Sequence, residues 1–183
     1  MLDINGNLKI LKNMKIKVKL FNKNCMFEAI KKGEWIDLKA AGTYQLDAPY
    51  AHTLNGKREK RTVVFDEHKI PLGIGMKLPK GFEALILPRS GPFNAYGSIL
   101  ANSQGVIDSS YSGPNDQWAY QMIALTNCVV NEGERICQFR IQLSQKATIW
   151  QKIKWLFTNK IEFEFVDDYE GEDRGGFGST GVN

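Results

Sequence analysis

The chain has 183 residues, of which 43% are hydrophobic and 24% are charged, and its formal net charge is +4. This length and apolar content suit one domain with a single core. No apolar run approaches the roughly 18 residues of a membrane span, and the first residues contain no secretory signal, so the sequence predicts a cytoplasmic protein without a membrane partner. The small positive charge favours an anionic ligand but does not predict nucleic-acid binding.

Two early segments alternate apolar and polar residues, which is typical of strands with one buried face. Residues 15–21 alternate lysine with aliphatic side chains, and residues 33–41 form a second such run. In the second run Trp35 and Asp37 fall on the same face. Considered alone, Asp37 is predicted to face solvent.

A hairpin is predicted next. Residues 72–78 alternate, a Pro-Lys-Gly turn follows, and residues 82–87 return as a second strand. This hairpin delivers Arg89 and Ser90 to a strand end, where Gly91 lets a ligand approach the backbone amides. A guanidinium and a hydroxyl in this setting suit an oxyanion, and an exposed turn is the alternative interpretation.

The segment GVIDSSYSG, at residues 105–113, places an acid and an aromatic residue in a short hairpin bounded by Gly105 and Gly113. Asp108 stands beside apolar residues, where ionisation is costly, so a functional role is expected for it. Tyr111 is the aromatic residue. The alternative is a solvated aspartate in an ordinary hairpin.

The later sequence continues the strand pattern. Residues 118–130 and 133–143 are strand-like runs separated by a short turn, and residues 161–165 alternate again. Short strands at this spacing, with almost no helical periodicity, predict an all-β sandwich or barrel.

Residues 147–160 are the exception, because they predict one short helical insertion that Thr148 could cap. We expect this helix to cover the body of the protein or a neighbouring subunit. A regulatory protein partner at this segment is an alternative, and a membrane surface is a less favoured one. The apolar stripe of the helix consists of Ile149, Trp150, Ile153, Leu156 and Phe157.

The tail, residues 167–183, is acidic and then glycine-rich. A segment of this composition cannot pack a core, so a flexible C-terminal arm is predicted, which orders on a ligand. The sequence therefore divides into a β-barrel domain at residues 1–166 and an arm at residues 167–183.

Four segments resemble, in order and approximate spacing, the motifs of the trimeric dUTP diphosphatase (dUTPase) family. They are PRSG at 88–91, GVIDSSYSG at 105–113, GERICQ at 133–138 and RGGFGSTG at 174–181. DLKA, which begins at Asp37, resembles the first motif of that family. The resemblance implies a distorted β-barrel or jelly roll and a homotrimer whose active sites are shared between subunits.

The activity implied by the resemblance is hydrolysis of dUTP to dUMP and pyrophosphate with Mg²⁺, which limits uracil in DNA and supplies dUMP for dTMP synthesis. Asp108 matches the catalytic aspartate, which takes a proton from the water that attacks the α-phosphorus. Asp37 matches the aspartate that holds the metal through water.

The resemblance also implies a set of substrate-binding residues. Backbone groups of the central hairpin and Asn102 read the base, Tyr111 packs against the deoxyribose, and Phe177 stacks on uracil. Ser90, Gln138 and Arg174 contact the phosphates, and Arg89 steadies the site. The implied substrate-binding residues are Arg89, Ser90, Gly91, Asn102, Gly105, Val106, Ile107, Tyr111, Gln138, Arg174, Phe177, Gly178, Ser179 and Thr180.

Three alternatives stay open at this point. Only two glycines separate Arg174 from Phe177, so Trp118 and Tyr120 are nearby aromatic substitutes for the stacking role. A dCTP deaminase has a similar architecture, although its additional glutamate after the central hairpin is not found. The third alternative is a nucleotide-sensing regulatory protein with the same fold.

Overall fold

The structure of the protein is a computed structural model that describes residues 13–28, 33–53, 61–158 and 160–176. Within these residues the chain forms short strands, two α-helices and one turn of 3₁₀-helix at Lys23–Cys25. The α-helices are α1 (Gly91–Tyr96) and α2 (Ile149–Leu156). The strands are β1 (Met14–Leu20), β2 (Ile36–Lys39), β3 (Tyr44–Leu46), β4 (Tyr50–Thr53), β5 (Arg61–Val64), β6 (Glu67–Pro71), β7 (Ile74–Lys77), β8 (Phe82–Pro88), β9 (Ser98–Leu100), β10 (Gly105–Asp108), β11 (Ala119–Ala124), β12 (Cys128–Val130), β13 (Arg135–Leu143) and β14 (Ile161–Val166).

The strands of the described ranges pair into small sheets. Two three-stranded sheets have the orders β14-β1-β7 and β6-β11-β9, and a four-stranded sheet has the order β10-β8-β13-β2. Two strand pairs, β12 with β3 and β4 with β5, complete the set. β1 and β14 run parallel, so the beginning and the end of the domain are joined in one sheet. The predicted all-β fold with a helical insertion is confirmed. The two predicted hairpins are wrong within the described residues, because β7 pairs with β1 while β8 pairs with β10 and β13, and because β10 and β11 belong to different sheets.

The alternation of β1 has the expected cause. Met14, Ile16 and Val18 are buried, while Lys15 and Lys17 between them are exposed. Burial of each large aliphatic side chain contributes about 1.5–3 kcal/mol relative to exposure. The apolar face of β1 therefore faces the core and the lysine face is in water.

Phe139, on β13, lies fully buried at a junction of aromatic rings. Its ring centroid is 5.4 Å from that of Trp118, 5.6 Å from that of Phe27 and 6.0 Å from that of Phe163. Each pair is edge-on, a geometry that adds about 0.5–1.5 kcal/mol beyond area burial. One side chain thus joins β13 to β14, to the segment after β1 and to the segment before β11.

The four-stranded sheet sets the positions of the motifs. Asp108 of β10 is paired with Glu83 at the beginning of β8. Gln138 of β13 is paired with Leu87 near the end of β8 and, on its other side, with Asp37 of β2. The DLKA and GERICQ segments therefore meet at one end of the sheet, and Asp108 lies at the other end.

The helix α2 attaches to the turn before β8. Thr148 and Gln151 form a reciprocal capping box, and Gln151 Nε2 also donates to the Lys80 carbonyl at 2.6 Å. Trp155 packs against Phe82 with ring centroids 5.4 Å apart. Among the helices of the described residues, none is both long enough and apolar enough to cross a membrane.

The apolar stripe predicted for α2 does not cover the body of its own chain. Trp150 is 75% exposed and Leu156 is 79% exposed, and the other members of the stripe are exposed as well. The reason is that Gln151 and Trp155 make the contacts with the β8 turn, which turns the stripe outward.

We expect Phe139→Ala to lower the free energy of unfolding by about 3–5 kcal/mol, because it leaves a cavity between three aromatic rings. Phe93→Ala is the matched control, since Phe93 is 58% exposed, and it should change the free energy by less than about 0.5 kcal/mol. Urea denaturation at one protein concentration measures both values. Equal losses for the two variants would contradict this description of the core.

Candidate active site

Asp37 lies between two arginines. Its Oδ1 is 2.6 Å from Arg89 Nε, and its Oδ2 accepts a hydrogen bond from Arg135 Nη1 at 3.1 Å. Arg89 Nη1 also donates to the Arg135 carbonyl at 3.2 Å, and Gln138 Nε2 donates to the Pro88 carbonyl at 3.0 Å. We call Asp37, Arg89, Arg135 and Gln138 the Asp37 cluster.

The pairing of Asp37 differs from the expectation that this side chain faces solvent freely. Only 29% of the side chain is exposed, because both carboxylate oxygens are engaged by guanidinium groups. The structure thus brings Asp37, Arg89 and Gln138 together, as predicted site residues, and adds Arg135. The sequence offered a signal for Arg135, since it belongs to the GERICQ segment.

Ser90 and Gly91 lie at the beginning of α1, a short helix that the sequence did not predict. The Ser90 hydroxyl makes no capping hydrogen bond within the described residues, and Ser90 is exposed. A Cβ added to Gly91 would meet no described atom within 4 Å. Both residues therefore lie exposed at the start of a helix, where the first N–H groups have no intrahelical partner.

Asp108 ends β10 with its carboxylate held on both sides. Oδ1 accepts from the Ser110 backbone N–H at 2.7 Å and from the Ser110 hydroxyl, and Oδ2 accepts from Arg174 Nη1 at 2.8 Å. The side chain is 47% exposed, so it is less buried than its apolar neighbours in the sequence suggested. A carboxylate in this position can reach a ligand at the surface.

The pKa of Asp108 follows from these contacts. Partial burial raises it, but the two hydrogen bonds from Ser110 and the positive charge of Arg174 outweigh burial. The net result is a pKa of Asp108 below the ordinary value for aspartate. The carboxylate is therefore ionised at neutral pH and able to accept a proton.

Residues 105–113, which we call the Asp108 segment, consist of the edge strand β10 and a turn rather than a hairpin, and they combine fixed and exposed groups. Tyr111 is partly buried, and its hydroxyl donates to the Gln117 carbonyl at 2.8 Å. Ile107 is buried, whereas Val106 is 53% exposed and Asn102 is exposed. Within the described ranges β10 pairs only with β8, and an edge strand presents backbone donors and acceptors.

Gly105 begins β10 at a close approach to β8. A Cβ at Gly105 would lie 3.1 Å from the Ile86 Cβ, which is tighter than ordinary packing. The glycine thus lets the Asp108 segment lie against the sheet. The predicted residues of this segment are in this way gathered at one edge of the four-stranded sheet.

The two groups of site residues are far apart within one chain. Asp108 is paired with Glu83, whereas Asp37 lies level with Leu87 and three strands away from β10. With about 3.3 Å per residue along a strand and about 4.8 Å between strands, the two aspartates are roughly 19 Å apart. One chain does not bring Asp37 and Asp108 into a single pocket.

Neither Trp118 nor Tyr120 can take the stacking role that was considered for them. Trp118 is 0% exposed and Tyr120 is 2% exposed, because both belong to the core of the domain. The other predicted residues of the arm, Phe177, Gly178, Ser179 and Thr180, lie outside the described residues.

Sequence reasoning missed two residues that hold the arm. Asp116 is a buried aspartate that accepts hydrogen bonds from the backbone of Arg174 and Gly175. Asn115 donates to Asp173 through both its backbone and its side chain. The sequence did not distinguish these two residues, because Pro-Asn-Asp is a composition that many solvent-exposed turns share.

The described residues contain no group of three or more histidine, cysteine, aspartate or glutamate side chains that could hold a metal ion. The Asp37 cluster offers one carboxylate. Mg²⁺ is commonly bound through one or two carboxylates, several waters and substrate phosphates, so this donor set fits a metal that arrives with a phosphate ligand.

The all-β sheets carry two partly exposed carboxylates held by arginines, Asp37 and Asp108, an arrangement that suits an enzyme acting on an anionic substrate. The dUTPase family model matches residues 39–181, and the chain belongs to the dUTPase family. The predicted family, and with it the enzyme class that the sequence predicted, is confirmed.

Individual relatives agree with this assignment. The SPbeta prophage-derived deoxyuridine 5'-triphosphate nucleotidohydrolase YosS of Bacillus subtilis (strain 168) is 36% identical over 171 residues, which cover 92% of this chain and 99% of the relative. A dUTPase from Streptococcus mutans has a TM-score of 0.58 at 22% identity, over 72% of this chain and 98% of that one. A mutant dUTPase of Staphylococcus bacteriophage 80alpha with dUpNHpp has a TM-score of 0.53 at 19% identity, over 91% of this chain and 98% of that one. The two structures support the fold.

We predict that Arg174→Ala raises the pKa of Asp108, because the variant removes a cation and a hydrogen bond that favour the ionised carboxylate. Carboxyl ¹³C shifts of labelled aspartate, followed against pH, measure this value. Arg135→Ala is the control, since Arg135 contacts Asp37 rather than Asp108. An Asp108 titration that is the same in all three proteins would contradict the described ion pair.

Proposed function

We propose that this chain is a dUTP diphosphatase that hydrolyses dUTP to dUMP and pyrophosphate. The observation that carries the proposal is the Asp108 carboxylate, which is ionised, half exposed and oriented by Ser110 at the end of the edge strand β10. The Bacillus subtilis relative named above, which is matched over nearly its full length, is a deoxyuridine 5'-triphosphate nucleotidohydrolase. In the cell this activity limits uracil in DNA and supplies dUMP for dTMP synthesis.

Asp108 acts as the general base in this proposal. Its carboxylate accepts a proton from the water that attacks the α-phosphorus, and Ser110 fixes the orientation of one oxygen. General-base assistance contributes about 10²–10⁴ in rate. Positioning of the triphosphate and neutralisation of its charge supply the remainder of the acceleration.

The phosphates are assigned to Ser90, Gln138 and Arg174. The exposure of Ser90 supports this role, because its hydroxyl makes no capping hydrogen bond. Arg174 can leave Asp108 for a phosphate oxygen, because its side chain is 43% exposed. Arg89 is engaged with Asp37 and with the Arg135 carbonyl, which supports a steadying role rather than direct contact.

Mg²⁺ is the proposed cofactor, and Asp37 holds it through water. The bound ion supplies neutralisation of the phosphate charge. The arginines on either side of Asp37 keep the carboxylate in one orientation. Removal of divalent metal by a chelator is therefore expected to abolish activity while leaving the fold intact.

The base is assigned to the free edge of β10 and to Asn102. Fixed backbone donors and acceptors at Gly105, Val106 and Ile107 select uracil over cytosine, since cytosine would leave buried polar groups unpaired. Tyr111, whose hydroxyl is held by the Gln117 carbonyl, packs against the deoxyribose and excludes a 2′-hydroxyl. Residues 177–180 are assigned to closure over the nucleotide.

A homotrimer with shared active sites is the proposed assembly. The separation of roughly 19 Å between Asp37 and Asp108 supports it, because one dUTP cannot contact both residues of the same chain. The Asp108 segment of one subunit and the Asp37 cluster of another subunit then complete each site. A regulatory protein partner at residues 147–160 stays a prediction.

Asp108→Asn is expected to lower pyrophosphate release from dUTP by at least about 10²-fold, because the amide cannot accept the proton. The assay compares dUTP with dTTP, dCTP and UTP, with and without Mg²⁺, so that deamination of dCTP is also detected. Asp66→Asn is a matched control outside the site. Absence of dUTP hydrolysis by folded wild-type protein would refute the proposed activity.

Mixing two weak variants tests the shared site. Asp37→Ala and Asp108→Asn are each expected to be nearly inactive, but refolding them together at equal concentrations should restore about a quarter of the wild-type sites. The restored sites take an intact Asp108 from the Asp37→Ala chain and an intact Asp37 from the Asp108→Asn chain. Activity no higher than the average of the separate variants would place each site within one chain.

A further inference from the structure

The described part of the C-terminal arm, residues 167–176, is held against the body of the same chain at several points. Lys19 forms an ion pair with Asp168 at 3.1 Å, and Tyr169 is only 5% exposed. Asp173 accepts hydrogen bonds from the Asn115 backbone at 2.8 Å and from the Asn115 side chain at 2.7 Å. The arm therefore meets the turn that follows the Asp108 segment.

Asp116 is the buried charged residue of this contact. It is 3% exposed, and its carboxylate accepts from the backbone N–H groups of Gly113 at 2.9 Å, Arg174 at 3.1 Å and Gly175 at 3.3 Å. No described cation lies within ion-pairing distance of it. A buried carboxylate needs such donors, and two of its three come from the arm, so docking of the arm satisfies Asp116.

The glycines of both segments permit the close approach. A Cβ at Gly113 would collide with the backbone of Asp173. A Cβ at Gly176 would lie 2.9 Å from the Tyr111 ring. The arm thus passes between the turn and the aromatic residue that is assigned to the sugar.

Arg174 is consequently fixed at two points. Its backbone N–H is bonded to Asp116, and its guanidinium is bonded to Asp108 at 2.8 Å. Asp108 lies at the beginning of the turn region that follows β10, and Asp116 lies near its end, so the arm crosses this region. The backbone contact sets where the guanidinium can reach.

We propose that Asp116 is a positioning residue that holds the C-terminal arm beside the Asp108 segment, so that Arg174 lies between Asp108 and the incoming phosphates. We call Gly113, Asn115 and Asp116 the arm latch. The kinetic consequence rests on the proposed dUTP hydrolysis, whereas the docking of the arm does not. A latched arginine reaches the phosphates at a lower entropic cost than one on a free arm.

Trypsin cleavage after Arg174 measures the latch without reference to activity, because a protease needs a locally released backbone. Asp116→Asn loses the charge that accepts the arm amides, and cleavage should accelerate by roughly tenfold or more. Asp66→Asn is the matched control, since Asp66 also accepts a backbone N–H, from Asp47 at 2.8 Å, away from the arm. Its cleavage rate should stay within about twofold of wild type.

Two exposed variants keep the test decisive if Asp116→Asn does not fold. Asn115→Ala and Asp173→Asn each weaken the outer contact of the latch and should accelerate cleavage after Arg174 to an intermediate degree. Cleavage after Arg174 as slow as in wild type, in folded variants, overturns the proposal. Equal acceleration at a site within the sheet, such as Arg140, also overturns it, because it would reflect general unfolding.

A kinetic cycle separates positioning from a merely structural effect. Asp116→Asn should raise KM for dUTP about tenfold with kcat changed less than about threefold, since the latch acts on phosphate binding. Arg174→Ala should raise KM as well, and the double variant should add little beyond it, because both changes remove one contact. Fully additive effects overturn the proposal. Lack of dUTP hydrolysis by wild type refutes the proposed function but leaves the proteolysis result standing.

Discussion

The antiparallel pairing of β8 with β13 is the constraint on which the rest of the arrangement depends. It extends from Phe82 opposite Leu143 to Pro88 opposite Cys137, and β10 and β2 are added to its two sides. The core face of β13 carries Phe139, whose ring contacts Phe27 in the segment after β1 and Phe163 in β14. Because a slip of one residue in register would move every side chain of a strand to the other face of the sheet, burial of the core face helps to fix the positions of the motifs.

This register also explains why the chemistry is divided. Asp37 and Asp108 lie on the two opposite edge strands of the same sheet, at opposite ends of the strands. No side-chain rotation closes a gap of roughly 19 Å. The proposed shared sites follow from this separation, because another copy of the chain can supply the group of residues that one chain holds too far away. The precision of each half is retained because both are mounted on packed strands.

The two carboxylates of the site are treated differently by their surroundings. Asp37 has both oxygens engaged by arginines, so its orientation is fixed. Asp108 has one oxygen held by Ser110, and the other faces an arginine that is itself partly exposed and belongs to the arm. The fixed geometry of Asp37 suits the metal-holding role proposed for it. The proton-accepting role proposed for Asp108 needs an oxygen that the partly exposed Arg174 can uncover.

Alternation of apolar and polar residues was enough to predict most strands, because burial of one sheet face imposes a period of two. The motifs likewise predicted Asp37, Arg89 and Gln138 as site residues, and the structure brings them together. The orientation of α2 could not be predicted, since its apolar stripe faces outward and the contacts to the body are made by Gln151 and Trp155. Amphipathicity states that a stripe exists but not which element lies beneath the helix.

The arm shows why composition alone underestimates a glycine-rich tail. Ordering glycine costs more conformational entropy than ordering any other residue, so a segment with few apolar side chains is expected to stay undocked. The described part of the arm offsets this cost with Tyr169, which is buried, and with hydrogen bonds to charged groups at Asp116 and Asp173. Hydrogen bonds to charged groups each contribute about 1.5–3 kcal/mol. Such an arm can be docked at its base while the Arg174 guanidinium stays partly exposed, which is the condition that the proposed phosphate contact requires.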